Sequence, residues 1–128
     1  MATTGVGIDL VDVDRFRLAL ERHPRIVERL FTDGERRDAH SQPERLAARF
    51  AAKEAVLKTL RIGAGVTSWR SIEVTLNDAG APSVVLHEHA SEIAEALGID
   101  ALHLSMTHTD HLAAAFVVGS SRDELRGG

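Results

Sequence analysis

Cysteine is absent from this chain of 128 residues, which excludes disulfides, thiolate metal sites and cysteine nucleophiles. No proline- and glycine-rich stretch interrupts it, and its length is that of one compact domain able to bury a real core. No N-terminal apolar stretch has the form of a signal peptide or the length to span a bilayer, so the expectation is a cytoplasmic protein with no membrane partner. Internal repeats, heptads and low-complexity segments are also missing. We therefore expect a single domain over residues 1–120 and a frayed tail over 121–128.

Charge is present but unevenly placed. The net value of −4 divides into +2 over residues 1–61, with 12 Lys/Arg against 10 Asp/Glu, and −6 over residues 62–128, with 3 against 9. This balance argues against nucleic-acid binding. Near the first predicted helix, Arg15, Arg17, Arg22, Arg25 and Arg29 outnumber Glu21 and Glu28, a face basic enough to attract an acidic partner. By itself such a face reads first as a solvated helix surface.

Gly5 to Val11 reads as a buried strand in which Asp9 is the one charge. Asp12 or Asp14 can cap a helix running to about Glu21, Pro24 restarts the chain, and Thr32 with Glu35 forms a capping box for a short helix. A long helix follows from Pro43 to about Arg61, with Ser41 as N-cap and Glu44 closing a second capping box. Gly63-Ala64-Gly65 is expected to end it and to free backbone amides. Ser71–Leu76 and Ala81–Leu86 read as a hairpin around Asn77–Gly80, His89–Leu97 as a helix stopped by Gly98, and Ala101–Thr107 with Leu112–Val118 as a last antiparallel pair. The order of elements predicts an α+β fold, an antiparallel sheet packed on one long helix and shorter ones.

At about 100° per residue, Glu54, Lys58 and Arg61 share one side of the long helix, beside an apolar stripe of Leu46, Phe50, Leu57 and Leu60. Arg49 lies about 140° from Glu54 on that wheel and must serve another surface. Asp9 and Glu54 offer two carboxylates from separate elements, which suits Mg2+ with its waters and substrate phosphates, and Lys58 could neutralise a phosphate oxygen. Spacing alone, however, makes Glu54 and Lys58 an ordinary helix pair worth about 0.2–0.5 kcal/mol. His87 with His89 and His108 with His111 have spacings Zn2+ could use, but no H-E-x-x-H pattern accompanies them. A triad of Ser105, His108 and Asp110 lacks a nucleophile elbow. Gly63-x-Gly65 follows a helix, whereas dinucleotide and Walker loops precede one.

Three separated segments occur together: GVGIDLVDVDRF at the start, RFAAKEAVLK in the middle and LSMTHT near the end. Together they resemble the holo-acyl-carrier-protein synthase branch of the 4′-phosphopantetheinyl transferases. LFTDGE, SIEVTLNDAGAP and AAAFVV stand in that family's order too, so the resemblance covers nearly the whole chain. It implies the family's fold and its reaction: transfer of 4′-phosphopantetheine from coenzyme A to a serine of apo acyl carrier protein, with Mg2+, releasing adenosine 3′,5′-bisphosphate. It also implies a homotrimer with active sites between subunits, and a place in lipid metabolism, where carriers are primed for fatty acid biosynthesis or a secondary pathway.

Carried over by motif, Asp9 and Glu54 resemble the magnesium ligands, and Lys58 resembles the lysine on the coenzyme's phosphates. Arg49, His108 and Thr109 resemble coenzyme-binding residues supplied across the subunit boundary. Arg15 and Arg25 resemble positions that grip the acidic carrier, and Arg22 joins them on the same basic face. The chain departs from the pattern in two places: Arg61-Ile62-Gly63 replaces a GTG-type run, and Gly80-Ala81-Pro82 lacks the cation of a Gly-Lys-Pro turn. Arg61, Gly63 and Gly65 are therefore expected to form an altered coenzyme-binding loop, with Arg61 partly replacing the missing charge.

The resemblance implies attack by a hydroxyl on the β-phosphorus of a pyrophosphate, which calls for positioning, charge neutralisation and deprotonation of a poor nucleophile. Glu54 or a water on the metal could take the serine proton, and the sequence leaves both open. Two other readings compete. A metal-dependent phosphoryl enzyme acting on a free nucleotide would cleave coenzyme A with no carrier present. A non-catalytic module would use Arg15, Arg22 and Arg25 to dock an acidic partner, with steep salt dependence and no turnover.

Overall fold

The computed structural model describes residues 2–122. The chain runs β1 (Ala2–Asp12), α1 (Val13–Arg22), α2 (Ile26–Leu30), α3 (Asp33–Asp38), α4 (Pro43–Thr59), β2 (Ile72–Leu76), β3 (Pro82–Leu86), α5 (Glu88–Ala96), β4 (Ala101–His108) and β5 (Leu112–Ser121). β1, β5 and β4 form an antiparallel sheet in that order, and β2 with β3 forms a separate hairpin. The architecture is the expected α+β.

α4 lies across the inner face of the three-stranded sheet. Small residues make this contact close: Ala51, Ala52, Ala55 and Val56 are buried with Ala115 and Val117 of β5. Gly7 takes the approach furthest, since a Cβ there would meet the Ala55 carbonyl oxygen. A second cluster joins Val13, Phe16, Leu30, Phe31, Leu46 and Ala47 under α1 to α3. Within it Phe16 meets Phe31 edge-on at 6.3 Å.

Local signals act mostly as read. Asp12 caps α1 by accepting from the Arg15 amide at 3.0 Å, and Thr32 and Glu35 form the reciprocal capping box of α3. Three expectations need correction. Ser41 does not cap α4: it sits at φ 52°, a left-handed conformation, and its amide closes α3 by reaching the Arg36 carbonyl, so Gln42 becomes the N-cap without a side-chain bond. Nor does the glycine pair end α4. Arg61 takes the left-handed position at φ 59°, with Ile62 and Arg61 amides returning to Leu57 and Lys58 carbonyls, so Arg61 lies past the helix rather than on its face. Finally, β5 continues past Gly119 through Ser121, with Ser120 paired to Thr3 and Ala101 and Ser121 to Ala2. Of the predicted tail, residues 123–128 lie outside the described residues.

β1 is buried on its inner face only, not throughout as its apolar run suggested, because nothing in the chain covers the outer side of the sheet among the described residues. Val6, Ile8 and Leu10 of β1 and Leu112 and Phe116 of β5 are exposed, Ile8 at 64% and Phe116 at 45%. Ile8 stands directly across from Phe116 in the β1–β5 register. So large a contiguous apolar face is unusual for a lone soluble domain.

Candidate active site

Asp9 follows Gly7 on the same, helix-facing side of β1, as strand alternation requires. The close approach that Gly7 permits brings its carboxylate to the face of α4 that carries Glu54 and Lys58. Lys58 Nζ donates to Asp9 Oδ1 at 3.1 Å and to the Ile8 carbonyl at 2.8 Å, so it pairs across to β1 rather than along its own helix with Glu54. Asp9 is largely withdrawn from solvent, its side chain 17% exposed, while that of Lys58 is 53% exposed. Burial first and the Asp9 charge second push the Glu54 carboxyl above its usual range, with Lys58 pulling the other way. Two carboxylates thus share one partly dry corner with a single ammonium.

That corner fits a hard divalent cation of the Mg2+ type. Its donors are oxygens only, and the repulsion felt by Glu54 marks negative charge that one lysine leaves under-compensated. Among the described residues no group of three or more His, Asp or Glu converges on a metal position. Two protein carboxylates, with the remaining positions left to water and substrate phosphates, is the Mg2+ pattern rather than that of an all-protein cage.

Arg49 serves a different surface, as its position on the wheel required. With His108, Arg45, Asp38, Gly80 and Pro82 it lines a cleft of about 320 Å3. Arg49 is only 4% exposed, donates from Nη1 to the Arg45 carbonyl at 3.2 Å, and leaves its buried Nε without a partner among the described residues. Burial draws its guanidinium below the ordinary value, Asp38 and Glu35 resist, and Arg45 adds to the fall. An anion entering this cleft would meet a cation already stripped of water. Thr109 does not line the cleft; its hydroxyl accepts from the His111 and Leu112 amides and shapes the β4–β5 turn beside it.

Within the chain β5 separates Asp9 on β1 from His108 on β4, so the acidic corner and the Arg49 cleft are distinct. Arg61 donates to the Thr4 carbonyl at 3.2 Å near the start of β1 and does not line the cleft beside Ala81. Gly63 and Gly65 lie in the exposed loop after α4 with open space around them. Arg15, Arg22 and Arg25 are exposed and, among the described residues, carry no side-chain ion pair, whereas neighbouring Arg17 is held by Asp14 at 3.1 Å. Asp14 also contacts His111 Nδ1 at 3.0 Å, fixing the start of α1 to the β4–β5 turn.

A buried ion pair escaped the sequence reading. Lys53 and Glu35 are wholly buried, 2.8 Å apart, and Lys53 also donates to the Trp69 and Ile72 carbonyls. Glu35 accepts from the Thr32 and Val74 amides in addition, so one carboxylate ties α3, α4 and β2 together. The signal was there: Lys53 stands three residues from Phe50 and four from Leu57, on the apolar side of α4, where a charge needs a buried partner.

Comparison with known proteins identifies the family. Residues 5–117 match the profile of the 4′-phosphopantetheinyl transferase superfamily. The holo-[acyl-carrier-protein] synthase of Frankia alni is 50% identical over 121 residues, spanning 94% of this chain and all of that one. Its counterpart from Moorella thermoacetica is 42% identical over 118 residues, 90% of this chain and 92% of that one. Among solved structures, the Mycobacterium tuberculosis acyl carrier protein synthase superposes with a TM-score of 0.74 at 39% identity, covering 93% and 98% of the two chains. The Helicobacter pylori holo-[acyl-carrier-protein] synthase, in complex with coenzyme A, gives 0.82 at 29% identity, covering 90% and 99%. The chain therefore belongs to the 4′-phosphopantetheinyl transferase superfamily and, within it, to the holo-[acyl-carrier-protein] synthases.

Proposed function

We propose that this protein transfers 4′-phosphopantetheine from coenzyme A to the serine hydroxyl of an apo acyl carrier protein, releasing adenosine 3′,5′-bisphosphate, with Mg2+ held by Asp9 and Glu54. The observation that carries the reading is the meeting of Asp9 from β1 with Glu54 and Lys58 from α4. In the reaction the serine oxygen forms a bond to the β-phosphorus while the bond from that phosphorus to the bridging oxygen of the bisphosphate breaks. Asp9 and Glu54 would hold Mg2+, which would supply charge neutralisation for the substrate's pyrophosphate. Lys58 stabilises the departing phosphate, and the serine proton passes to Glu54 or to water at the same corner.

The Arg49 and His108 cleft takes the far, phosphate-bearing end of the coenzyme, with Thr109 shaping its rim and the loop at Arg61, Gly63 and Gly65 flanking the other half-site. Because the two halves face opposite edges of one sheet, we place each complete site between two subunits of a homotrimer. The exposed face of Val6, Ile8, Leu10, Leu112 and Phe116 supplies the apolar surface such an assembly buries. Arg15, Arg22 and Arg25 grip the acidic carrier, and the setting is cytoplasmic.

The decisive experiment incubates the purified protein with coenzyme A, Mg2+ and a panel of apo carriers, and reads the carrier's mass. Gain of one phosphopantetheinyl group is expected, dependent on Mg2+ and absent with Asp9→Asn or Glu54→Gln. Release of the bisphosphate from coenzyme A with no carrier present would instead identify a nucleotide hydrolase.

A further inference from the structure

Lys58 is bonded to the carboxylate that the metal reading assigns to the cation. Its ammonium donates to Asp9 Oδ1 at 3.1 Å, and its second bond, at 2.8 Å, goes to the neighbouring Ile8 carbonyl. We propose that Lys58 changes partner during the cycle: it neutralises Asp9 until a divalent cation takes that carboxylate, and is then released toward the substrate's phosphates. This rests on the metal reading given above and adds to it a competition between two cations for one oxygen pair.

The physical grounds lie in charge and reach. Asp9, Glu54 and Lys58 together carry a net single negative charge when all are ionised, and a divalent cation changes that to a net single positive one. Two cations cannot both keep short contacts to Asp9 without strong mutual repulsion, and a flexible lysine yields more easily than a chelated ion. Lys58 is free to yield, because its side chain is half exposed and ends in a single point charge on a four-carbon stem. The Ile8 carbonyl, a neutral acceptor on the edge of β1, then remains as its tether among the described residues. Arg61 supplies the internal comparison. It reaches the same strand edge at Thr4 but contacts no carboxylate among the described residues, so it adds charge without blocking a ligand.

The consequence is ordered assembly. Before the cation binds, Lys58 is committed to Asp9 and offers little to a pyrophosphate; afterwards the same ammonium is unpaired and aligned with the incoming negative charge. Cation binding and phosphate capture become coupled through one side chain.

The test titrates Mn2+ into the full-length protein without coenzyme and follows free Mn2+ by electron paramagnetic resonance, for wild type, Lys58→Met, Arg61→Met and Asp9→Asn. Removal of the competitor should tighten Mn2+ binding about fivefold in Lys58→Met, the scale of a half-exposed ion pair, while Arg61→Met stays within about twofold. Unchanged or weaker binding by Lys58→Met, or equal tightening by Arg61→Met, overturns the exchange. If Asp9→Asn meanwhile loses Mn2+, the metal site stands and only the exchange falls. If wild type takes up no Mn2+, or Asp9→Asn binds as wild type does, both fall. A second readout is the acetylation rate of the Lys58 amine, quantified by peptide mass spectrometry. It should rise several-fold on adding Mn2+ to wild type and stay level in Asp9→Asn, and a fall or no change in wild type contradicts the release.

Discussion

A Cβ added to Gly7 would stand 2.0 Å from the carbonyl oxygen of Ala55, far inside contact distance. Two residues further along β1 is Asp9, and one residue before Ala55 is Glu54, so the closest approach of strand and helix is also what sets the carboxylate spacing. Gly7→Ala must push β1 off α4, at a cost on the order of 2 kcal/mol or more. Val117→Ala, in the buried part of β5, serves as a control of similar cost. At a temperature where both are folded, transfer by the Gly7 variant should fall much further than by the Val117 variant. Equal rates, with unfolding followed by circular dichroism, would mean the approach matters only for stability.

Glu54 gives a prediction in pH. Its folded pKa is raised by burial and by Asp9 above the unfolded value of 4.5. A carboxyl shifted upward contributes most below its unfolded pKa and loses that contribution as pH rises through the folded one. Wild type and Glu54→Gln should therefore be close in stability at pH 4.5 and below, and the variant should be at least as stable at pH 7 while transferring nothing. Urea unfolding at the two pH values checks this, and a variant clearly weaker at pH 7 contradicts the like-charge corner.

Much of this was legible in the residues, and the failures share a cause. Thr32 with Glu35, Asp12 before α1 and Asn77–Gly80 between β2 and β3 are signals satisfied within a few residues, and each acts as read. Ser41 and the Gly63 pair failed because what decides a helix end is which residue takes the left-handed turn, and His40, Ser41 and Arg61 take it without being glycine. The site divided the same way. The wheel separated Arg49 from Glu54, but only packing could show that Lys58 turns away from Glu54 toward β1, or that Lys53 and Glu35, 18 residues apart, meet in the core.

Lys53 and Glu35 should behave as a coupled buried pair. Burial lowers the Lys53 pKa and Glu35 opposes the fall. Lys53→Met strands a buried carboxylate and should cost about 3–5 kcal/mol. Glu35→Leu should cost at least as much, since the Thr32 and Val74 amides lose an acceptor as well. The double variant should be more stable than the sum of the singles implies, and additive denaturation energies would remove the coupling.

The two cationic regions should fail separately. Arg15 is exposed on α1, whereas Arg49 is buried in the cleft with His108. Arg15→Glu should weaken carrier binding and its salt dependence while coenzyme affinity holds, because reversal of an exposed charge acts on steering. Arg49→Met should do the opposite, with coenzyme affinity falling by tenfold or more at unchanged carrier affinity. Titration calorimetry with each ligand alone separates the outcomes, and parallel losses in either variant would count against two distinct surfaces.

Asp9 on β1 and His108 of the Arg49 cleft on β4 have β5 between them, which allows a test of shared sites that needs no structure of the assembly. In the proposed homotrimer Asp9→Asn spoils one half of every centre and Arg49→Met the other, so at limiting coenzyme either variant alone should transfer little or nothing. If each catalytic centre joins the Asp9 half of one subunit to the Arg49 half of the next, mixed trimers contain some centres made of two intact halves. Random exchange at equal amounts gives an intact pair at about one centre in four, so roughly a quarter of wild-type transfer should return. The two proteins are unfolded together, refolded and assayed beside a mixture that was never unfolded. If the halves belonged to one chain, every centre would keep one lesion and mixing would restore nothing.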